Sequence, residues 1–258
     1  MLLAFIVFAV SGCGEGFDLH RVEREVNIWG FPLEPIEVGK IGNFPVKLNL
    51  ATIYFTWIAM AITLLLGFAA ARGASVRRPS KLAAAFEMML SFIAGLLYDS
   101  IPEKKGRGLY PLLVTYFLFI LVCNLMGLVP TFMAPTADIN TTLGLALITF
   151  SLIYIWGLRY TGFKMFKHYI TPIPILPIVE DFAKPVTLAF RLFGNMRGKE
   201  IMMLALLGLI TGWAEICGGF LASVIWLAFG IFVSFIQAFV FTVLSIAYIS
   251  MVVSEEHH

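Results

Sequence analysis

Among the residues able to do chemistry in this chain, one arginine stands apart. Arg191 lies in the run from Val179 to Glu200, VEDFAKPVTLAFRLFGNMRGKE, within an apolar block over roughly 173–211. No Asp or Glu lies within four positions on either side, so no intrahelical ion pair neutralises it. An arginine at mid-membrane costs about 2.5–3.5 kcal/mol on insertion scales. A guanidinium stays protonated and cannot relay a proton, but it can supply a fixed positive charge. The bland alternative is a snorkelling arginine near an interface. A depth of at least about 14 residues inside the block argues against it.

The other polar residues fall around this charge. At about 100° per residue, Lys184 and Asn195 share the face of Arg191, whereas Glu200 lies on the opposite side. Lys184 and the pair Glu180 and Asp181 sit toward the cytoplasmic end, where mutual pairing and snorkelling account for them. A carboxyl at the depth of Glu200 requires a water-filled cavity or a bound proton, and either suits a proton path. Arg197 and Lys199 flank it, and either favour its ionised form or pair with it. In the last apolar block, Gly230, Ser234, Gln237, Phe241 and Tyr248 share one stripe. Such a stripe reads as helix-packing surface. Gln237, the only amide of that block, needs partners for both halves of its side chain, and Arg191 on the facing helix is the expected one.

These residues require a membrane around them. Charged residues make up 13% of the 258 positions and hydrophobic ones 60%, whereas soluble domains carry about 25% charged residues. The apolar residues are gathered into blocks at about 50–71, 109–133, 142–158, 173–211 and 216–253. Those lengths suit spans of about 20 residues or more. The expected fold is an all-α polytopic membrane protein with five transmembrane helices plus one interfacial amphipathic helix. Residues 1–49 form an outer N-terminal segment and 50–258 a single membrane domain.

Basic residues set the orientation, since cytoplasmic loops collect Lys and Arg. The connection between the first two spans carries Arg72, Arg77, Arg78, Lys81, Lys104, Lys105 and Arg107; the loop after the third carries Arg159, Lys164 and Lys167. The alternate loops hold Asp138 and Glu215 and no base. The N-terminus is therefore expected outside and the C-terminus in the cytoplasm. Within the first basic connection, Leu82, Phe86, Met89, Ile93 and Leu97 recur at helical spacing, which predicts an interfacial helix over about 80–100. The last two blocks are too long for upright spans: residues 176–211 alone would run about 54 Å as helix. They are expected to form a strongly tilted hairpin, with Thr211-Gly212 and Gly218-Gly219 bracketing its outer turn.

Cys123 and Cys217 lie in apolar blocks and read as small core residues. Val10-Ser11-Gly12-Cys13, after a short apolar run, resembles a bacterial lipobox but lacks a basic leader; lipidation or cleavage at Cys13 and an unprocessed terminus both stay open. No metal-ligand spacing and no cofactor motif is present, and nothing points to nucleic acid. A secondary transporter is disfavoured because no internal repeat is found. An intramembrane enzyme is disfavoured because His20, His168, His257 and His258 all lie outside the apolar blocks.

Four runs carry a family resemblance. Lys184-Pro185-Val186-Thr187-Leu188-Ala189-Phe190-Arg191-Leu192-Phe193-Gly194-Asn195 closely resembles a run characteristic of subunit a, the membrane stator of F-type ATP synthases. So does Phe235-Ile236-Gln237-Ala238-Phe239-Val240-Phe241. Pro135-Thr136-Ala137-Asp138-Ile139-Asn140-Thr141-Thr142-Leu143 and Asn124-Leu125-Met126-Gly127-Leu128-Val129-Pro130 complete the match, in family order over about 49–254. The resemblance implies that the hairpin faces a rotating ring of subunit c and works beside subunit b and the other subunits. It implies that Arg191 separates two half-channels, with Asn195, Glu200 and Gln237 near it and along the outer path. A secondary polar path would include Ser234, Tyr248, Asn124, Asp138 and Asn140. The implied function is translocation of a proton, with sodium left open because the ion's ligands would lie largely on subunit c. The setting would be a bacterial cytoplasmic membrane, and the chain would not itself be a catalyst. Two positions depart from the family: Gly230 stands where some relatives have histidine, and Gly127 where some have aspartate.

Overall fold

The computed structural model describes residues 36–41, 44–73, 80–129, 132, 134–162, 175–208 and 213–254. Two short strands come first, β1 (Ile36–Ile41) and β2 (Phe44–Leu48), paired antiparallel with Glu37 opposite Lys47 and a bulge between Glu37 and Gly39. The hairpin adds strand to the N-terminal segment, where no regular element was expected; every described element of the membrane domain that follows is helical.

α1 (Leu50–Gly73) opens on Asn49, whose side-chain oxygen accepts from the Ala51 N–H at 3.1 Å. Thr56 and Thr63 donate their hydroxyls to the carbonyls of Thr52 and Ala59 one turn back, so neither is left unpaired in an apolar setting. Small Ala51 and Ala59 with Phe55 pack on Val122, Cys123 and Met126. The opposite side exposes Trp57, Leu64, Leu65 and Phe68, an apolar surface suited to lipid. α2 (Lys81–Ser100) is capped by Ser80, whose Oγ accepts from Ala83 N–H. It buries Ile93 and Leu97, as the spacing predicted, but Leu82 at its start is exposed. By length and composition α2 is itself one of four helices able to cross a membrane.

A one-turn helix α3 (Glu103–Gly106) leads into α4 (Tyr110–Met126), whose two sides are both covered, by α1 on one side and the last helix on the other. At 17 residues α4 is shorter than the expected 109–133. Gly127 follows its last turn at a close contact: a Cβ there would stand 2.5 Å from both Ala134 Cβ and Met196 Cε, so no larger residue fits. A single turn of 3₁₀ helix (Pro135–Ala137) and the Asp138 cap start α5 (Ile139–Tyr160). α6 (Ile175–Gly208) and α7 (Trp213–Ser254) then run 34 and 42 residues, roughly 50 and 60 Å at 1.5 Å per residue. Both exceed a hydrocarbon core of about 30 Å, in keeping with the long hairpin expected. Gly218 and Gly219 lie inside α7 and do not bracket the turn; apolar neighbours on both sides let the helix run through them. Thr211 and Gly212 lie outside the described residues.

Candidate functional site

The site is built on the seam between α6 and α7. On α6 the buried residues Leu188, Ala189, Leu192, Met196 and Lys199 follow the helical period and form one stripe. On α7 the matching residues are Gly230, Ser234, Gln237, Ala238 and Phe241, all buried, so the small-residue stripe is packing surface as its composition indicated. Gly230 faces the segment after α4 rather than α6: a Cβ there would lie 2.4 Å from Leu128 Cδ2.

Asn195 stands at the margin of the α6 stripe and donates its Nδ2 to Gln237 Oε1 at 2.6 Å. Arg191, one turn earlier, is turned about 40° further from the seam. Its side chain is exposed and, among the described residues, makes no hydrogen bond or ion pair. The expected contact of Gln237 with Arg191 is therefore corrected. The amide oxygen goes to Asn195, because the packing that buries Leu192 and Met196 turns the guanidinium outward. Phe190 is exposed beside Arg191, and a Cβ added at Gly194 or Gly198 would meet nothing within 4 Å. The charge thus sits on a face relieved by two glycines.

A second polar group lies deeper in the seam. Lys199 is 6% exposed and donates to Ser234 Oγ at 3.0 Å. Ser234 has one proton to give; Gly230 O at 2.7 Å takes it in better geometry than Asn124 O at 3.4 Å. Asn124, fully buried, accepts from Thr136 Oγ1 at 3.0 Å through Oδ1, while its Nδ2 has no protein partner. Further along, Asp138 caps α5 by accepting from Asn140 N and Nδ2, and ties in α1 by accepting from Thr52 Oγ1 at 3.1 Å. Thr136 and Thr52 were not among the expected residues, and only packing reveals them. Lys199 was legible as a neighbour of Glu200; its spacing of four from Asn195 is the signal that also puts it on the seam.

Toward the other end of α6, Lys184 pairs with Asp181 at 2.7 Å, as expected, and stands 5.9 Å from the centre of the Tyr248 ring. Tyr154 of α5 donates to Asp181 Oδ2 at 3.2 Å. Ser234, Gln237 and Asn195 are thus brought together with Asn124, whereas Tyr248 belongs to the Lys184 cluster and Asp138 with Asn140 to the start of α5. The side chains of Glu200 and Glu180, and all of Cys13, lie outside the described residues.

The family profile described as ATP synthase A chain matches residues 53–250. The chain belongs to that family. It is similar to the ATP synthase subunit a of Desulforamulus reducens, 43% identical over 251 residues that cover 93% of this chain and 94% of the relative. It is 37% identical to that of Desulfosudis oleivorans over 80% of this chain and 89% of the relative, and 34% identical to that of Geotalea uraniireducens over 87% and 94%. Family and apolar helices together make this a multi-pass membrane protein.

Proposed function

We propose that the chain is the ion-conducting, non-catalytic stator subunit of an F-type ATP synthase in a bacterial cytoplasmic membrane. It would work against a ring of subunit c, beside subunit b, with its N-terminus outside and its C-terminus in the cytoplasm. The observation that carries the reading is Arg191: a permanent charge, exposed and unpaired among the described residues, on the glycine-relieved face of a long helix. Small residues let a neighbouring helix approach closely. A charge in lipid is costly unless an opposite charge meets it. A passing ring carboxylate supplies that charge, and it must be ionised to pair.

The mechanism follows. A ring carboxyl arrives protonated from lipid and releases its proton on one side of Arg191. It passes the guanidinium as an anion and takes a proton from the other side before re-entering lipid. Arg191 cannot accept the proton, so the two aqueous paths never join. Asn195 and Gln237, locked to each other, hold α6 against α7 at the level where this happens. The outer path runs by Glu200, with Ser234 and Asn124 as polar lining. The ion is a proton; sodium is the alternative, to be decided by the ligands on subunit c. Arg191→Ala in the complete complex should abolish proton-driven ATP synthesis while the complex still assembles, measured on inverted membrane vesicles together with subunit content. Synthesis at the normal rate would sink the proposal.

A further inference from the structure

The cluster at the far end of α6 has the makings of more than an anchor. Asp181 sits where three helices converge: its Oδ1 is 2.7 Å from Lys184 Nζ on α6, and its Oδ2 accepts from the Tyr154 hydroxyl of α5. Tyr248 of α7 closes the third side, with the Lys184 ammonium over its ring. The Asp181 and Lys184 side chains are 22% and 15% exposed, so the recess is walled by helices yet not closed. Ten residues separate Asp181 from Arg191, about 15 Å along the helix. On a helix as tilted as α6 must be, the rise along the membrane normal is shorter than that. With Arg191 at mid-membrane, Asp181 stands between it and the cytoplasmic boundary, on the inner side. An ion pair this accessible to water adds little to stability. A carboxylate fixed in a wet recess, by contrast, is well placed to take up and release protons.

We infer that Asp181 is the proton-exchange group at the cytoplasmic mouth of the inner path. A proton that has left the ring on the inner side of Arg191 binds the Asp181 carboxylate, then passes to cytoplasmic water, and the carboxylate is regenerated. Pumping runs the same transfers in reverse. Lys184 and Tyr154 are positioning residues that hold the carboxylate in the recess. The inference rests on the function proposed for Arg191, and adds the group that delivers its proton.

The test is passive proton conduction by membranes stripped of the catalytic head, normalised to the amount of assembled membrane sector. Asp181→Asn should lower conduction about tenfold, less than the roughly 10²-fold or more that a positioned proton-transfer group contributes, because water offers a bypass. Asp181→Glu should restore most of it. Tyr154→Phe removes the link to α5 but keeps the carboxylate, so it should lose far less than Asp181→Asn. Undiminished conduction in Asp181→Asn would overturn the inference. So would equal losses in Asp181→Asn and Tyr154→Phe with no rescue by Asp181→Glu, the pattern of a structural staple. Arg191→Ala is run alongside for ATP synthesis. If that variant fails to synthesise while Asp181→Asn conducts normally, only the role of Asp181 falls; if Arg191→Ala synthesises normally, the underlying function falls.

Discussion

The α6–α7 seam and the N-terminal end of α6 are both polar, but their charges are treated in opposite ways. At the N-terminal end, Lys184 meets Asp181 within its own helix and the charge is closed locally. Beside the seam, the outward-turned Arg191 has no anion among the described residues, and within it Lys199 is held by a neutral serine. A positive surplus of this kind is unstable in a membrane unless something outside the chain answers it. Under the proposed function, the difference marks where another subunit would act: beside Arg191, where charge is left open, and not beside Lys184, where it is satisfied.

That contrast can be broken most directly by closing the open charge. Asn195→Asp would give Arg191 an anion four residues on, the spacing that favours an intrahelical pair. ATP synthesis should fall by about tenfold or more, equivalent to about 1.4 kcal/mol or more of competing attraction, with assembly intact. Normal synthesis would show that Arg191 does not depend on an external carboxylate. A smaller effect separates the two ends of the path: Glu200→Gln should slow ion passage more than Lys184→Gln, and equal rates in flux assays would refute the outer-path assignment of Glu200.

The seam's neutral pair offers a sharper comparison. Asn195→Leu should destabilise the purified complex by about 1 kcal/mol, because it strands the buried Gln237 amide, and Gln237→Leu by less through this contact, because Asn195 is exposed. The double variant should cost less than their sum, with a coupling of about 0.6 kcal/mol typical of interhelical hydrogen bonds in membranes. Strict additivity in thermal denaturation would mean that the 2.6 Å contact does no energetic work. The smallest effect is expected from Ser234→Ala, a few tenths of a kcal/mol. Lys199 loses its acceptor there, but the serine's own proton is already satisfied within α7.

Much of this was legible in the chain. The apolar blocks located α1, α5, α6 and α7 to within a few residues, because span length follows from bilayer thickness and helical rise. The absence of an acid near Arg191 is a local property that any helix preserves. The end of α4 was missed because the apolar run continues past Met126 through Leu128, Val129, Phe132 and Met133, so the pattern does not mark where the helix stops. The strand pair at 36–48 was missed because a two-stranded hairpin carries little hydrophobic pattern of its own. Gln237 was correctly singled out but given the wrong partner: the wheel puts Arg191 and Asn195 on one face, and 40° of rotation decides between them.

The sequence by itself determined that this is a multi-spanning protein, that its last two helices are long, that Arg191 is unpaired along its own helix, and that the family is that of the ATP synthase A chain. Those properties depend on composition, period and near neighbours. Only the tertiary structure decided that Asn195 takes Gln237 across 42 residues, that Lys199 reaches Ser234 across 35, and that Tyr154 reaches Asp181 across 27. A helical period says which residues share a face; the rotation and axial offset between helices say which faces meet, and those are settled by packing over the whole seam.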